Sequence, residues 1–138
     1  MVATVFTAKT KKITLYQDFK KDLEISPVSQ DITVWKDEDA VKESIRNLIL
    51  TDRGERLMQP NIGGNLNAML FENITPATLI LIKNNVENTV NLYEPRAELI
   101  DVKVTSQIDD NTVRVNILFY ITNVQQPITL DVFLERTR

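Results

Sequence analysis

Two hydrophobic periods divide this sequence, and the change between them constrains the fold more than any other feature. In residues 38–51 and 76–93, apolar side chains recur every three or four positions, which predicts two amphipathic helices. After Ala97 they alternate, which predicts three strands separated by polar turns at 109–111 and 123–127. The alternating residues are Ile100, Val102, Val104, Val113, Val115, Ile117, Phe119, Ile121, Ile128, Leu130, Val132 and Leu134. We therefore predict an α+β domain with two main helices packed on one face of a C-terminal antiparallel β-meander.

The boundaries of the helices follow from capping chemistry. Acidic residues at 37–39 favour the positive N-terminal end of the first helix. Thr75 can cap the second helix with its hydroxyl, and Pro76 suits the first helical position because no partner for its amide is needed there. Pro95 ends that helix, since the residue before a proline avoids helical dihedral angles. A shorter amphipathic piece is predicted over residues 66–71.

The first part of the chain is predicted to be a separate unit. Residues 1–30 mix lysines with apolar side chains and are interpreted as an extended N-terminal arm, followed by one domain over residues 31–138. Such a mixture is typical of a solvated surface strand and equally of a docking arm.

Part of the meander is expected to be covered or paired. Its outer face would carry Leu99, Leu118, Tyr120 and Phe133, which is more apolar surface than a freely solvated face needs, so cover by the arm or by a partner is expected. The exposed edge could accept a strand from another protein, or residues 11–16 of the arm could shield it; both alternatives stay open.

Composition excludes several classes of function. The 138 residues contain neither cysteine nor histidine, which excludes Ser-His and Cys-His catalysis and most zinc and iron sites. A net charge of -3 gives no overall attraction to nucleic acid or anionic lipid. We therefore expect no catalytic residue, no cofactor, no metal, no nucleic-acid partner and no membrane partner.

Four segments, in this order, resemble one protein family. They are AVKESIRNLILT at residues 40–51, RGER at 53–56, LFENITP at 70–76 and YEPR at 93–96. Together they are similar to the baseplate wedge proteins of contractile-tailed phages, often labelled "lysozyme-like", and to their type VI secretion counterpart, TssE. The similarity covers roughly residues 31–134. One departure is Leu57 and Met58 after Arg56, where family members usually have Arg-Pro-Phe.

The resemblance implies a structural, non-enzymatic function. It implies a wedge subunit of a virion tail baseplate, assembled in the host cytoplasm, with a domain resembling the core of the tail sheath subunit. The subunit would bridge the helical core bundle of the wedge and the first sheath ring, and so initiate sheath assembly. Its partners would be the wedge core-bundle proteins, the sheath subunit and other baseplate proteins. The partner-binding residues implied are Tyr93, Glu94, Pro95 and Arg96.

These residues also have a purely local interpretation. Pro95 can simply end the helix while Glu94 pairs with Arg96, and without the family resemblance this interpretation is favoured. With the resemblance, Glu94 and Arg96 are predicted to grip a partner through charge-assisted hydrogen bonds. Arg96→Ala is then expected to block assembly with wedge partners at little cost in stability.

The main alternative function is a glycoside hydrolase acting on peptidoglycan, because paired carboxylates can catalyse that reaction without histidine. The acidic residues lie instead at a helix start, in predicted turns, or beside a basic partner such as Arg56 or Arg96. A nucleic-acid or membrane adaptor acting through the arm is a third class, against which the net acidity argues.

Overall fold

The computed structural model describes residues 13–107, 112–122 and 124–135. Eight elements follow one another along the chain, and they combine three helices with two separate antiparallel sheets. In order they are β1 (Gln17–Phe19), β2 (Val34–Lys36), α1 (Glu38–Leu50), α2 (Leu66–Leu70), α3 (Pro76–Tyr93), β3 (Ala97–Gln107), β4 (Thr112–Ile121) and β5 (Val124–Glu135). The predicted mixture of helices and antiparallel sheet is confirmed.

The two main helices form where the periodicity predicts them. The buried side chains of α1 include Val41, Ile45 and Ile49, which recur at a spacing of four residues. In α3, Thr75 accepts a hydrogen bond from the amide of Thr78 and caps the helix as expected. The short α2 buries its first and last residues. These helices cover one face of the large sheet with a continuous apolar layer.

The large sheet is the predicted meander. Its strand order is β3-β4-β5 with antiparallel pairing throughout, so β3 and β5 are the two edge strands. Among the described residues, neither edge strand pairs with a further strand. The inward side chains are buried: Val102, Val113, Val115, Ile117, Phe119, Ile121, Ile128, Leu130, Val132 and Leu134.

The predicted faces of Leu99 and Ile100 are wrong. Leu99 is half-buried and packs against the core, whereas the Ile100 side chain is 43% exposed. The reason is an irregularity in the pairing of β3 with β4 between Leu99 and Asp101, where one extra residue reverses the alternation. A strict period of two cannot anticipate such a bulge.

One turn is also shorter than predicted. Residues 124–127 belong to β5, and Ile121 on β4 is the register partner of Val124. Pro127 is tolerated because β5 is an edge strand, where the ladder does not need every amide. The predicted turn at residues 109–111, and position 123, lie outside the described residues.

The N-terminal region forms a small ribbon of its own. β1 pairs with β2 across the predicted domain boundary at residue 30, and Ile25 makes an isolated bridge with Ile32. Residues 1–12 of the predicted arm lie outside the described residues. The described part of the arm therefore pairs with residues just before α1 rather than with the meander.

Candidate functional site

The four predicted partner-binding residues join α3 to β3. Tyr93 is the last residue of α3 and Glu94 is its C-cap, with the Glu94 amide donating to the carbonyl of Val90 at 2.9 Å. Pro95 is exposed, and the Ala97 amide closes the turn by donating to the Glu94 carbonyl at 3.1 Å. Proline thus ends the helix as expected, and the chain reverses directly into the sheet.

Glu94 is a buried acid that is fully occupied within the molecule. The residue is only 2% exposed. Its Oε1 accepts from Arg96 Nε at 2.6 Å, and its Oε2 accepts from Arg96 Nη2 at 2.8 Å and from Ser44 Oγ at 2.5 Å. The arginine contact is therefore a bidentate, charge-assisted pair, the stronger kind of ion pair. The predicted pairing with Arg96 is present, whereas the contact of Ser44 on α1 was not predicted from the sequence.

The electrostatics of Glu94 favour its charged form. Burial alone raises the pKa of the carboxyl, but the hydrogen bonds from Arg96 and Ser44 and the charge of Arg96 outweigh it, so the pKa lies below its ordinary value. Glu94 hydrogen bonding raises the pKa of Arg96 in turn. Both groups are consequently charged at neutral pH, and the pair is a permanent feature of the site.

Arg96 is held in place but keeps one side open. Its side chain is 31% exposed, and Cζ lies 5.4 Å from the centroid of the Tyr16 ring. Its backbone carbonyl accepts from the Thr122 amide at 2.9 Å, which ties it to the end of β4. No described residue accepts a hydrogen bond from Nη1. The guanidinium group is therefore fixed in orientation and retains donor capacity for a partner.

Tyr93 connects this turn to the loop after α1. Its hydroxyl donates to the backbone carbonyl of Asn61 at 2.9 Å. Beside it lies a shallow polar cavity of about 260 Å³ formed by α1, the loop and the N-terminal region. The residues lining it are Asp18, Ser44, Asn47, Leu48, Arg56, Ile62 and Tyr93. Tyr93 thus lines a cavity to which four parts of the chain contribute: the N-terminal region, α1, the loop after it, and the end of α3.

The loop between α1 and α2 exposes two apolar side chains near that surface. Leu57 is 97% exposed and Met58 is 95% exposed. The loop is closed at its base by the Gly54 amide, which donates to the Pro60 carbonyl at 2.8 Å. At Gly63, a φ of +133° and the nearby Thr51 carbonyl leave no room for a Cβ. The loop is therefore a defined projection, although its sequence departs from the family pattern there.

The acidic residues predicted at the start of α1 lie there, with Glu38 and Asp39 in the first turn of the helix. Asp37 makes no side-chain cap; its Oδ1 instead accepts from the amides of Leu15 at 2.8 Å and Tyr16 at 3.4 Å.

Within residues 13–107, 112–122 and 124–135, no group of three or more acidic side chains is arranged to hold a metal ion. In the same residues, no helix has the length and apolar character needed to cross a membrane.

Comparison with known proteins identifies the family. Residues 36–125 match the family described as "Baseplate wedge protein gp25". The baseplate wedge protein gp25 of Enterobacteria phage T4 is 33% identical over 107 residues, which cover 78% of this chain and 80% of that protein.

Two solved structures share the fold. A Geobacter sulfurreducens protein, provisionally named a tail lysozyme, is 29% identical over 73% of this chain and 92% of its own, with a TM-score of 0.67. A chain from the baseplate of the anti-feeding prophage is 25% identical over 89% of this chain and 87% of its own, with a TM-score of 0.62. The resemblance inferred from the four sequence segments is confirmed: the chain belongs to the family of baseplate wedge protein gp25.

Proposed function

We propose that this protein is a structural, non-enzymatic wedge subunit of a contractile-tail baseplate in the virion, assembled in the host cytoplasm. It bridges the helical core bundle of the wedge and the first ring of the sheath, and so initiates sheath assembly. The observation that carries the proposal is the Glu94–Arg96 pair, in which a buried carboxylate fixes an arginine that keeps donor capacity toward solvent. Family membership supports the same role.

The four site residues have different roles in this proposal. Arg96 contacts the core-bundle partner directly, because its guanidinium is fixed and partly exposed. Glu94 acts through Arg96 and is a positioning residue, since its own carboxylate is buried and occupied. Pro95 presents a rigid exposed surface, and Tyr93 holds the neighbouring loop in place. This modifies the expectation from sequence, in which Glu94 itself would grip the partner.

A strand from the sheath subunit is proposed to pair with an edge of the meander. Support comes from the sheet topology, because β3 and β5 present backbone groups that no other described strand engages. A likeness to the sheath core domain is part of this proposal. So is the division into an N-terminal arm over residues 1–30 and one domain over residues 31–138.

The chemistry of Glu94 argues against a glycoside hydrolase. The general acid of such an enzyme needs a raised pKa and access to the sugar, whereas the pKa of Glu94 is lowered and its oxygens are occupied by Arg96 and Ser44. We expect purified protein to produce no soluble fragments from peptidoglycan. Turnover that a single Glu→Gln substitution abolishes would overturn the structural role.

Arg96→Ala alone is a poor test of the proposed site. It would leave the buried Glu94 carboxylate without its cation, so the expectation that this substitution costs little stability needs correction. Glu94→Gln combined with Arg96→Ala is the better variant. The amide keeps a partner for Ser44 and leaves no buried charge.

The decisive experiment is reconstitution of the wedge with the other wedge subunits of the same tail system. We expect the double variant to remain folded and to be lost from the complex, while wild-type protein assembles. Glu43→Gln combined with Arg46→Ala is the matched control, because Arg46 forms an ion pair with Glu43 at 3.3 Å on α1, with the arginine side chain 46% exposed. Assembly of the double variant at the wild-type level would overturn the role of Arg96. Loss of the control variant from the complex would show that assembly does not depend specifically on the Glu94–Arg96 pair.

A further inference from the structure

Residues Ile13–Phe19, here called the strap, are fastened to the start of α1 by one aspartate. The Asp37 carboxylate accepts from the amides of Leu15 and Tyr16, and the Asp37 amide donates to the Tyr16 carbonyl at 2.8 Å. Asp37 adopts φ 48° and ψ −109°, which lies outside the left-handed helical region. These hydrogen bonds give Tyr16 a defined position on the domain.

The strap contacts Arg96, the central residue of the proposed binding site. The Tyr16 ring packs against the hydrophobic core, and Arg96 lies over the ring at 5.4 Å, within the range of a cation–π contact. Two residues further along, Asp18 lines the same cavity as Ser44 and Tyr93. The strap therefore contacts Arg96 through Tyr16 and lines the neighbouring cavity through Asp18.

The strap lies outside the part of the chain that defines the family. The family match begins at residue 36, whereas the strap ends at Phe19. The segments that identify the family therefore give no account of how Arg96 is oriented on its Tyr16 side.

We propose that the strap is part of the partner-binding surface, with Tyr16 positioning Arg96 to receive a partner carboxylate at Nη1. The proposal rests on the proposed function of Arg96 and deepens it by naming the chemical group that is recognised. Glu94 occupies Nε and Nη2, and Tyr16 covers one face of the guanidinium, so an incoming group is restricted to the remaining edge. A carboxylate is the group that this edge binds best, because it accepts charge-assisted hydrogen bonds from guanidinium nitrogens.

Substitution of Asp18 can test whether the partner group that binds Arg96 is negatively charged. Its negative charge lies close enough to Arg96 to help raise the pKa of that guanidinium. A partner carboxylate approaching Arg96 must therefore also approach Asp18, which repels it. Asp18→Asn is expected to tighten binding to the wedge partners by up to about fivefold, the range of an exposed charge interaction. Weaker binding of this variant would instead indicate a cationic partner group and overturn the carboxylate assignment.

The first experiment tests the strap without any partner. Hydrogen exchange of the Arg96 Nε proton, followed by NMR in the isolated protein, reports how firmly Glu94 and Tyr16 hold the guanidinium. Tyr16→Ala is expected to accelerate this exchange about two- to fivefold, the range that a cation–π contact at an exposed site supports. Tyr16→Phe, which keeps the aromatic face, should restore the wild-type rate. Gln17→Ala, in the same strap, is the control and should leave it unchanged.

The second experiment measures binding of the same variants to the reconstituted wedge partners. We expect Tyr16→Ala to weaken binding and Tyr16→Phe to retain it. Unchanged exchange and unchanged binding in Tyr16→Ala, while the Glu94→Gln/Arg96→Ala variant fails to assemble, would overturn the strap and leave the proposed function standing. Faster exchange in Tyr16→Ala, with normal assembly of the double variant, would overturn the function of Arg96 while confirming how Tyr16 holds it.

Discussion

The helix-covered meander and the N-terminal ribbon of residues 17–36 differ in how far their apolar side chains are exposed to solvent. In the meander domain, Ile45, Ile82 and Ile117 are 0% exposed. In the ribbon, Ile25 is 69% exposed and Val28 is 94% exposed. A ribbon of two short strands cannot bury a core of its own, because both of its faces meet solvent unless something packs on them. The domain is stabilised mainly by burial, and the ribbon mainly by the backbone pairing of its two strands.

This difference suggests that the helix-covered meander determines the stability of the fold, whereas the N-terminal region contributes mainly to partner recognition. The site at Tyr93–Arg96 lies where the two regions meet, with Glu94 on the domain side and Tyr16, immediately before the ribbon, on the other side. The domain can therefore hold Glu94 rigidly while the ribbon side changes at little cost to folding. Substitutions in the two regions should accordingly differ by several kcal/mol in their effect on unfolding.

The largest effect is expected from Ile117→Ala in the middle of the sheet. This side chain is fully buried within the hydrophobic core, and its truncation leaves a cavity. We expect the free energy of unfolding to fall by about 4 kcal/mol, measured by urea denaturation. A loss below about 1 kcal/mol, the size expected for an exposed residue, would mean that the sheet is not the core of the molecule.

The next effect is expected from Glu94→Ala at the junction. Removing the carboxylate leaves the partly buried guanidinium of Arg96 without its anion and Ser44 without its acceptor. We expect a loss of about 3 kcal/mol in unfolding free energy. Glu94→Gln should cost less, because the amide still accepts a hydrogen bond. Equal losses in the two variants would contradict the importance of these hydrogen bonds.

Acidification should weaken the same junction. Because the pKa of Glu94 is lowered in the folded protein, its contribution to stability is present above its ordinary pKa of 4.5 and is lost as pH falls through the folded value. The stability difference between wild-type and Glu94→Gln protein should therefore shrink below that pH. A difference that stays constant from neutral pH to strong acid, measured by urea denaturation, would contradict the charged state of Glu94.

A smaller, local effect is expected from Asp37→Asn. The substitution keeps the shape of the side chain but removes the charge that holds the strap amides. We expect about 1 kcal/mol of local destabilisation, seen as roughly fivefold faster hydrogen exchange of the Leu15 and Tyr16 amides. The Val115 amide in the central strand serves as the control and should exchange at its wild-type rate. Acceleration of both would mean that strap and domain unfold together.

The smallest effect is expected from Val28→Ser at the tip of the ribbon. The side chain is 94% exposed, so its replacement should change the free energy of unfolding of the isolated protein by less than about 0.5 kcal/mol. Urea denaturation measures this directly. A loss comparable to that of Ile117→Ala would show that the ribbon is part of the core, and the contrast between the two regions would disappear.

The sequence determined the elements whose burial is periodic. The faces of α1 and α3 follow from their spacing, and β4 alternates without a break from Val113 to Phe119. These patterns are readable because a helix or strand with one buried side imposes its own period on the sequence. The family could also be inferred directly, since four short segments keep their order and spacing. The pairing of Glu94 with Arg96 was one of two open interpretations.

Only the tertiary structure decided the features that depend on distant parts of the chain. The bulge near Ile100 depends on how β3 pairs with β4, and the contact of Ser44 with Glu94 joins residues 50 positions apart. Likewise, Asp37 fastens the strap rather than capping its own helix, which places Tyr16 beside Arg96. The physical reason is that a periodic pattern records whether a side chain is buried, whereas its partner is fixed only when separate elements pack together.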